Sequence, residues 1–281
     1  MNEKVKTARL SIFSNIFLIA MKLAIGIVGG SVSIISEAIH SGIDLIASVI
    51  AYFSVRISDT PPDKEHPYGH GKYENVSGVI EAILIFFAAG IIIYEAIDKL
   101  EGKSQINSLG LGSLVMVISA IVNTYVSRKL YKIAKKTDSI ALEADALHLK
   151  TDVYTSLGVA IGLLLIWLTK WYILDPIIAL CVALLILKES YSLLKNAFYP
   201  LLDISLSDDE IKIITEVIVD HKLQFHSLKT RKSGQFKFAE MHLEMPADIK
   251  LKEAHDTCDN IEKEIQQRIQ NIEVNIHVEP V

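Results

Sequence analysis

Six stretches of the chain carry apolar residues in blocks long enough to suggest helices crossing a bilayer, and the last eighty or so residues are patterned differently. A hydrocarbon core of about 30 Å needs roughly 20 mostly apolar residues at about 1.5 Å of rise each. The stretches lie near 9–29, 33–57, 76–97, 108–127, 141–168 and 172–190. Their most apolar cores are 12–28, 78–97, 110–126 and 156–167, whereas ionisable residues interrupt the second and fifth stretches. Lys4, Lys6 and Arg9 precede the first stretch. It has no small-x-small cleavage site and is too long for a signal peptide, so it reads as a retained helix.

Beyond residue 202 the period changes. Residues 208–220 repeat as a helix with acidic residues in the first turn, where the helix dipole favours them. Residues 226–232 and 236–244 alternate as strands about the turn signal Ser233-Gly234. Residues 251–269 are helical again, and 273–279 place Val274, Ile276 and Val278 on one strand face. The order αββαβ predicts a small cytoplasmic α+β domain of ferredoxin-like, metallochaperone-like form. The expected fold class is therefore an α-helical membrane protein with six transmembrane helices over 1–202, followed by this domain over 203–281. A domain so small has a thin core, and dimerisation would help to stabilise it.

Composition agrees with the pattern. The 281 residues are 51% hydrophobic and only 22% charged, and the mean hydropathy is +0.35. Such apolar content excludes a disordered chain. Two cysteines, Cys181 and Cys258, make no disulfide scaffold. The net charge of -5 leaves no basic footprint for nucleic acid. Residues 201–281 carry 10 Lys/Arg against 16 Asp/Glu, so the tail is acidic. Across the connections, eleven Lys/Arg (among them Arg56, Lys72, Arg128 and Lys136) fall on one side and three (Lys99, Lys103 and Lys170) on the other. The positive-inside rule then puts both termini in the cytoplasm of a multi-pass cell-membrane protein.

The nine histidines bring in the chemistry, since eight of them fall into three groups that also hold carboxylates. His40 and Asp44 lie four apart in the second stretch, and His148 and Asp152 four apart in the fifth. That spacing puts each pair on one helix face. Ionisable residues inside a membrane normally face a polar interior and mark a pathway. Two imidazoles and two carboxylates form an N2O2 set suited to tetrahedral Zn²⁺. Asp63, His66 and His70 form a second candidate set in the loop between the second and third stretches. The tail contributes His226, His242, His255, His277 and Glu279, in which a carboxylate could bridge two metals.

These segments resemble the cation diffusion facilitator family of divalent-metal transporters, over almost the whole chain. The residues that carry the resemblance are Ser-Glu-Ala-Ile-His-Ser-Gly-Ile-Asp at 36–44, Ala-Asp-Ala-Leu-His-Leu-Lys-Thr-Asp at 144–152 and His-Pro-Tyr-Gly-His-Gly-Lys-Tyr-Glu at 66–74. Thr-Arg-Lys-Ser-Gly at 230–234 and His-Leu-Glu-Met at 242–245 match in the tail. The resemblance implies a proton-coupled homodimer that exports metal from the cytoplasm. It implies a transport site of His40, Asp44, His148 and Asp152, a loop site of Asp63, His66 and His70, and a binuclear tail site of His226, His242, His255 and His277. It also implies a charge interlock of Lys72 with Asp203. Some family members have Asp at the position of His40 and are less zinc-selective. Glu279 stands where the family pattern has Asp.

Metal binding needs neutral imidazole and ionised carboxylate, so protons compete with Zn²⁺. The expected function is Zn²⁺ efflux by proton antiport, with Zn²⁺ bound as substrate and as structural or regulatory ion, and no prosthetic group. Efflux of Cd²⁺, Co²⁺, Fe²⁺ or Mn²⁺ by the same route, or a non-transporting membrane-anchored metal sensor, are the alternatives. An enzyme is not expected. There is no His-Glu-x-x-His motif, and four protein ligands leave no position for a catalytic water.

Overall fold

The computed structural model describes residues 3–28, 32–100, 111–169, 171 and 173–281. Within the helices it does not describe certain side chains, among them His40, Lys99 and Trp167. Lys103 and Lys170, counted in the charge asymmetry, lie outside the described residues.

Six long helices fill the expected stretches: α1 (Glu3–Val28), α2 (Val32–Ser58), α3 (Lys72–Leu100), α4 (Leu111–Thr137), α5 (Ile140–Thr169) and α6 (Leu174–Phe198). Several run past their apolar blocks, because the flanking residues also favour helix. The end of α4 continues to Thr137 with Lys135 and Lys136 in its last turn, where the dipole favours cations. Among the described residues, three segments are long and apolar enough by themselves to cross a membrane: Glu3–Val28, Lys72–Asp98 and Pro176–Leu202.

The chain divides into two compact units, one of residues 1–61 and 73–198, the other of residues 62–72 and 199–281. In the first unit, Ala8, Val55, Val126, Leu130, Ala141, Leu142 and Leu149 make one core among α1, α2, α4 and α5. Ala82, Ile85, Ala144, Ile186 and Leu193 make a second among α3, α5 and α6. Large apolar side chains such as Phe13, Phe17, Phe87 and Leu184 point outward and are exposed. An outer surface of that kind suits a hydrocarbon solvent.

One buried charge cluster ties four helix ends together. The Lys4 ammonium lies 2.7 Å from Asp59 and 3.0 Å from Glu74. Glu74 also accepts hydrogen bonds from Ser58 at 2.7 Å and from Ser139. Every charge here is paired, which is the condition for a buried cluster to be stable.

The second unit has the predicted order. After the short 3-10 turn Tyr199–Leu202 come α7 (Asp208–Asp220), β1 (Gln224–Ser233), β2 (Phe236–Met245), α8 (Leu251–Arg268) and β3 (Ile272–Pro280). Helix α7 starts with a capping box in which Ser207 and Glu210 satisfy each other's backbone N–H groups. The sheet order is β1-β2-β3, with β1 antiparallel and β3 parallel to β2. A parallel neighbour needs a crossover, and α8 supplies it. Met241, Leu243, Ile214, Ile218, Ile261 and Ile265 pack both helices on one sheet face. Residues 62–72 fold onto the β1–β2 hairpin. A Cβ on Gly71 would lie 2.1 Å from the Ser233 carbonyl oxygen, so only glycine fits this approach. Tyr68 stacks edge-on against Phe238 at 5.4 Å, and the Arg231 guanidinium lies 4.1 Å from the Tyr68 ring centre.

Candidate metal centres

Helices α2 and α5 bring Asp44, His148 and Asp152 together inside the first unit. Each offers a ligand atom, and these atoms all lie within 4.8 Å of one another. His148 Nε2 is 3.0 Å from Asp44 Oδ1, and both side chains are buried. Bond lengths of about 2.0–2.2 Å give a tetrahedron with edges of roughly 3.3–3.6 Å, so three ligands at this spacing fit one small cation after a slight adjustment. The side chain of His40 lies outside the described residues. Its backbone sits on α2, one turn from Asp44.

The second set, Asp63, His66 and His70, also converges. Asp63 Oδ1 accepts the backbone N–H groups of Glu65 and His66 at 2.9 and 2.7 Å. Those bonds close the loop into a turn, and with the neighbouring imidazoles they hold the Asp63 carboxyl below its ordinary pKa. Its Oδ2 lies 3.4 Å from His70 Nε2. The two imidazole rings are 4.4 Å apart. This set belongs to the same compact unit as the C-terminal sheet, which spacing along the chain did not reveal.

In the sheet, His226, His242 and His277 are direct lateral neighbours across β1, β2 and β3. They occupy the face opposite the core residues Met241 and Leu243, as strand alternation requires. Glu279, two residues after His277 on that face, divides its oxygens. Oε2 lies 3.2 Å from His226 Nε2, and Oε1 lies 2.8 Å from His242 Nδ1 and 3.9 Å from His277 Nε2. The longer glutamate arm therefore reaches the histidine row. Glu244, which the sequence reading missed, lies 3.2 Å from His226 Nδ1. Its position two after His242 was the available signal. His255, grouped with these residues on sequence, is not brought to them. It stands on α8, 70% exposed in its side chain and 3.7 Å from Asp259 of its own helix. Helix α8 packs on the core face, and the histidine row occupies the other.

Lys72 Nζ donates to Asp203 Oδ1 at 2.9 Å, and Arg231 lies 3.7 Å from the same oxygen. The Lys72 bond holds the Asp203 carboxyl below its usual pKa. A depressed carboxyl contributes stability above its unfolded pKa of about 3.9, and that contribution is lost as pH falls through the lower folded value. Both side chains are partly exposed, so the pair is worth at most about 1 kcal/mol. Lys72→Glu is expected to lower the melting temperature slightly, and Lys72→Glu with Asp203→Lys to recover only part of it, because Arg231 would then face a lysine. A double-mutant cycle with no coupling energy would show that the two residues act independently.

Known proteins give this geometry its class. The model of the cation efflux transmembrane domain matches residues 8–202, and that of the cation efflux protein cytoplasmic domain matches residues 206–281. A Synechocystis protein named as an uncharacterized transporter is 35% identical over 98% of this chain and 89% of its own length. The cation-efflux pump FieF of Salmonella newport is 33% identical over 89% of this chain and 84% of its own. The metal-bound C-terminal domain of the CzcD transporter from Thermotoga maritima is 33% identical, covering 26% of this chain and 87% of that domain, with a TM-score of 0.25. The molecule is a cation-efflux membrane transporter with a small cytoplasmic domain. It belongs to the cation diffusion facilitator family.

Proposed function

We propose that the chain exports Zn²⁺ from the cytoplasm in exchange for protons, as a homodimer with both termini inside. The observation that carries this reading is the convergence of Asp44, His148 and Asp152 from two helices of the apolar unit. His40 completes an N2O2 set by its i,i+4 relation to Asp44. Protonating the imidazoles or carboxylates releases the ion. If the site opens to one side at a time, metal leaves outward and protons return inward.

The loop set and the sheet set bind zinc as a structural or regulatory ion. Their donors, imidazole nitrogen and carboxylate oxygen, suit that metal. The termini follow from the excess of lysine and arginine on one side of the membrane. The small C-terminal core favours pairing of two copies.

The test is initial uptake of Zn²⁺, Cd²⁺ and Mn²⁺ into reconstituted vesicles under a pH gradient, for wild type and His40→Asp. Replacing a nitrogen donor with a carboxylate admits harder or larger ions. The variant is expected to keep zinc uptake and gain Cd²⁺ or Mn²⁺ uptake. An unchanged ratio would place selectivity elsewhere, and zinc uptake indifferent to the pH gradient would refute antiport.

A further inference from the structure

Helix α4 presents a polar stripe to α5. Ser119, Asn123 and Ser127 recur every fourth residue, and all three are buried. Ser127 Oγ donates to the Ala146 carbonyl of α5 at 2.8 Å. One turn on, Asn123 Nδ2 lies 3.4 Å from Asp152 Oδ2, so the amide reaches a member of the buried His/Asp set. Two oxygens of the stripe are buried with no hydrogen-bond partner: Asn123 Oδ1 and Ser119 Oγ, in residues 5% and 8% exposed. Buried polar oxygens are nearly always satisfied. The two orphans share one helix face, and the residue carrying one of them, Asn123, touches a carboxylate of the set that gathers for a cation; such oxygens suit a ligand with positive charge or donor protons.

We propose that α4 forms the oxygen-donating wall of the transport site. Asn123 positions Asp152 through Nδ2. Its Oδ1 and the Ser119 hydroxyl then receive the departing divalent cation with its returning waters. This rests on the transport reading above. With both termini inside, α4 enters from the outer side, so Ser119 lies one turn, about 6 Å, outward of Asn123.

The donor chemistry suits that task. A dication leaving imidazole and carboxylate ligands must exchange them for water. Neutral amide and hydroxyl oxygens accept hydrogen bonds from that water or touch the ion, and they add no charge to trap it. Conduction needs sites that are favourable to enter and weak enough to leave. Residues that hold a metal ligand in place typically change metal affinity by about 10–100-fold when removed.

The experiment uses full-length protein in detergent, with His66, His70, His226 and His242 replaced by alanine so that the transport site dominates zinc titration calorimetry. Asn123→Ala is expected to weaken zinc binding by about 10–100-fold while the metal-free melting temperature stays near that of the parent. Asn123→Asp, which adds a carboxylate at the wall, is expected to tighten binding while slowing zinc flux in vesicles. Ser119→Ala is expected to keep the affinity and reduce flux. Should Asn123→Ala not fold, the other two variants still decide. A parent that binds no zinc would overturn the transport-site reading itself. A parent that binds zinc, with variants that alter neither affinity nor flux or alter only the melting temperature, would overturn the wall.

Discussion

Replacing Asp44 or Asp152 with alanine is expected to abolish zinc flux in reconstituted vesicles while the protein still folds. Each carboxylate is one donor of a small set, and each also supplies charge that offsets the dication inside an apolar unit. Asp44 is buried against His148, so no outside group can take its place. Losing a direct ligand should exceed the roughly 10–100-fold loss typical of a supporting residue. The readout is initial zinc uptake, normalised to protein that elutes as a single species by size exclusion. Uptake within about 10-fold of wild type from either variant, no worse than the loss typical of a supporting residue, would sink the assignment of the transport site.

The tail is the second place where a large effect is expected. Fragment 203–281 has its own core of α7 and α8 on one sheet face, and the histidine row with Glu279 lies on the other. Zinc that binds only the folded domain stabilises it by mass action, by about 2.7 kcal/mol at a hundred times the dissociation constant. For a domain of this size that corresponds to a rise of roughly 10–20 °C in melting temperature. Ala at His226, His242 and Glu279 together should remove the rise. His255→Ala should leave it intact, because His255 is not among the converging side chains. A shift that survives the triple replacement would mean that zinc binds elsewhere in the domain.

Much of this molecule is legible from periodicity. The six membrane helices and the αββαβ order follow from where apolar residues recur every third or fourth position, where they alternate and where they form blocks. Boundaries were less legible, because polar helix ends such as the lysines of α4 continue a helix without an apolar signal. The i,i+4 pairing of Asp44 with His40 and of Asp152 with His148 is local geometry, so it could be read directly from the chain. That the Asp44 and His148 helices meet, with their ligand atoms within 4.8 Å, is a long-range fact decided by packing.

The same division separates the remaining sites. The histidine row was only partly visible, because register across three strands depends on the parallel placement of β3 by α8. His255 shows the limit of counting residues by type, since a histidine on the wrong side of a sheet cannot reach the others. The loop carrying Asp63, His66 and His70 reads on sequence as a candidate metal set, but nothing along the chain says what that loop packs against. Its attachment to the β1–β2 hairpin rests on the close approach of Gly71 to Ser233 and the stacking of Tyr68, contacts between residues distant in sequence. Asn123 carried no signal at all in a run of apolar residues. Only the packing of α4 on α5 places its amide beside Asp152. Local periodicity and residue chemistry thus determined the elements and the candidate ligands, while tertiary packing decided which of those ligands share a site.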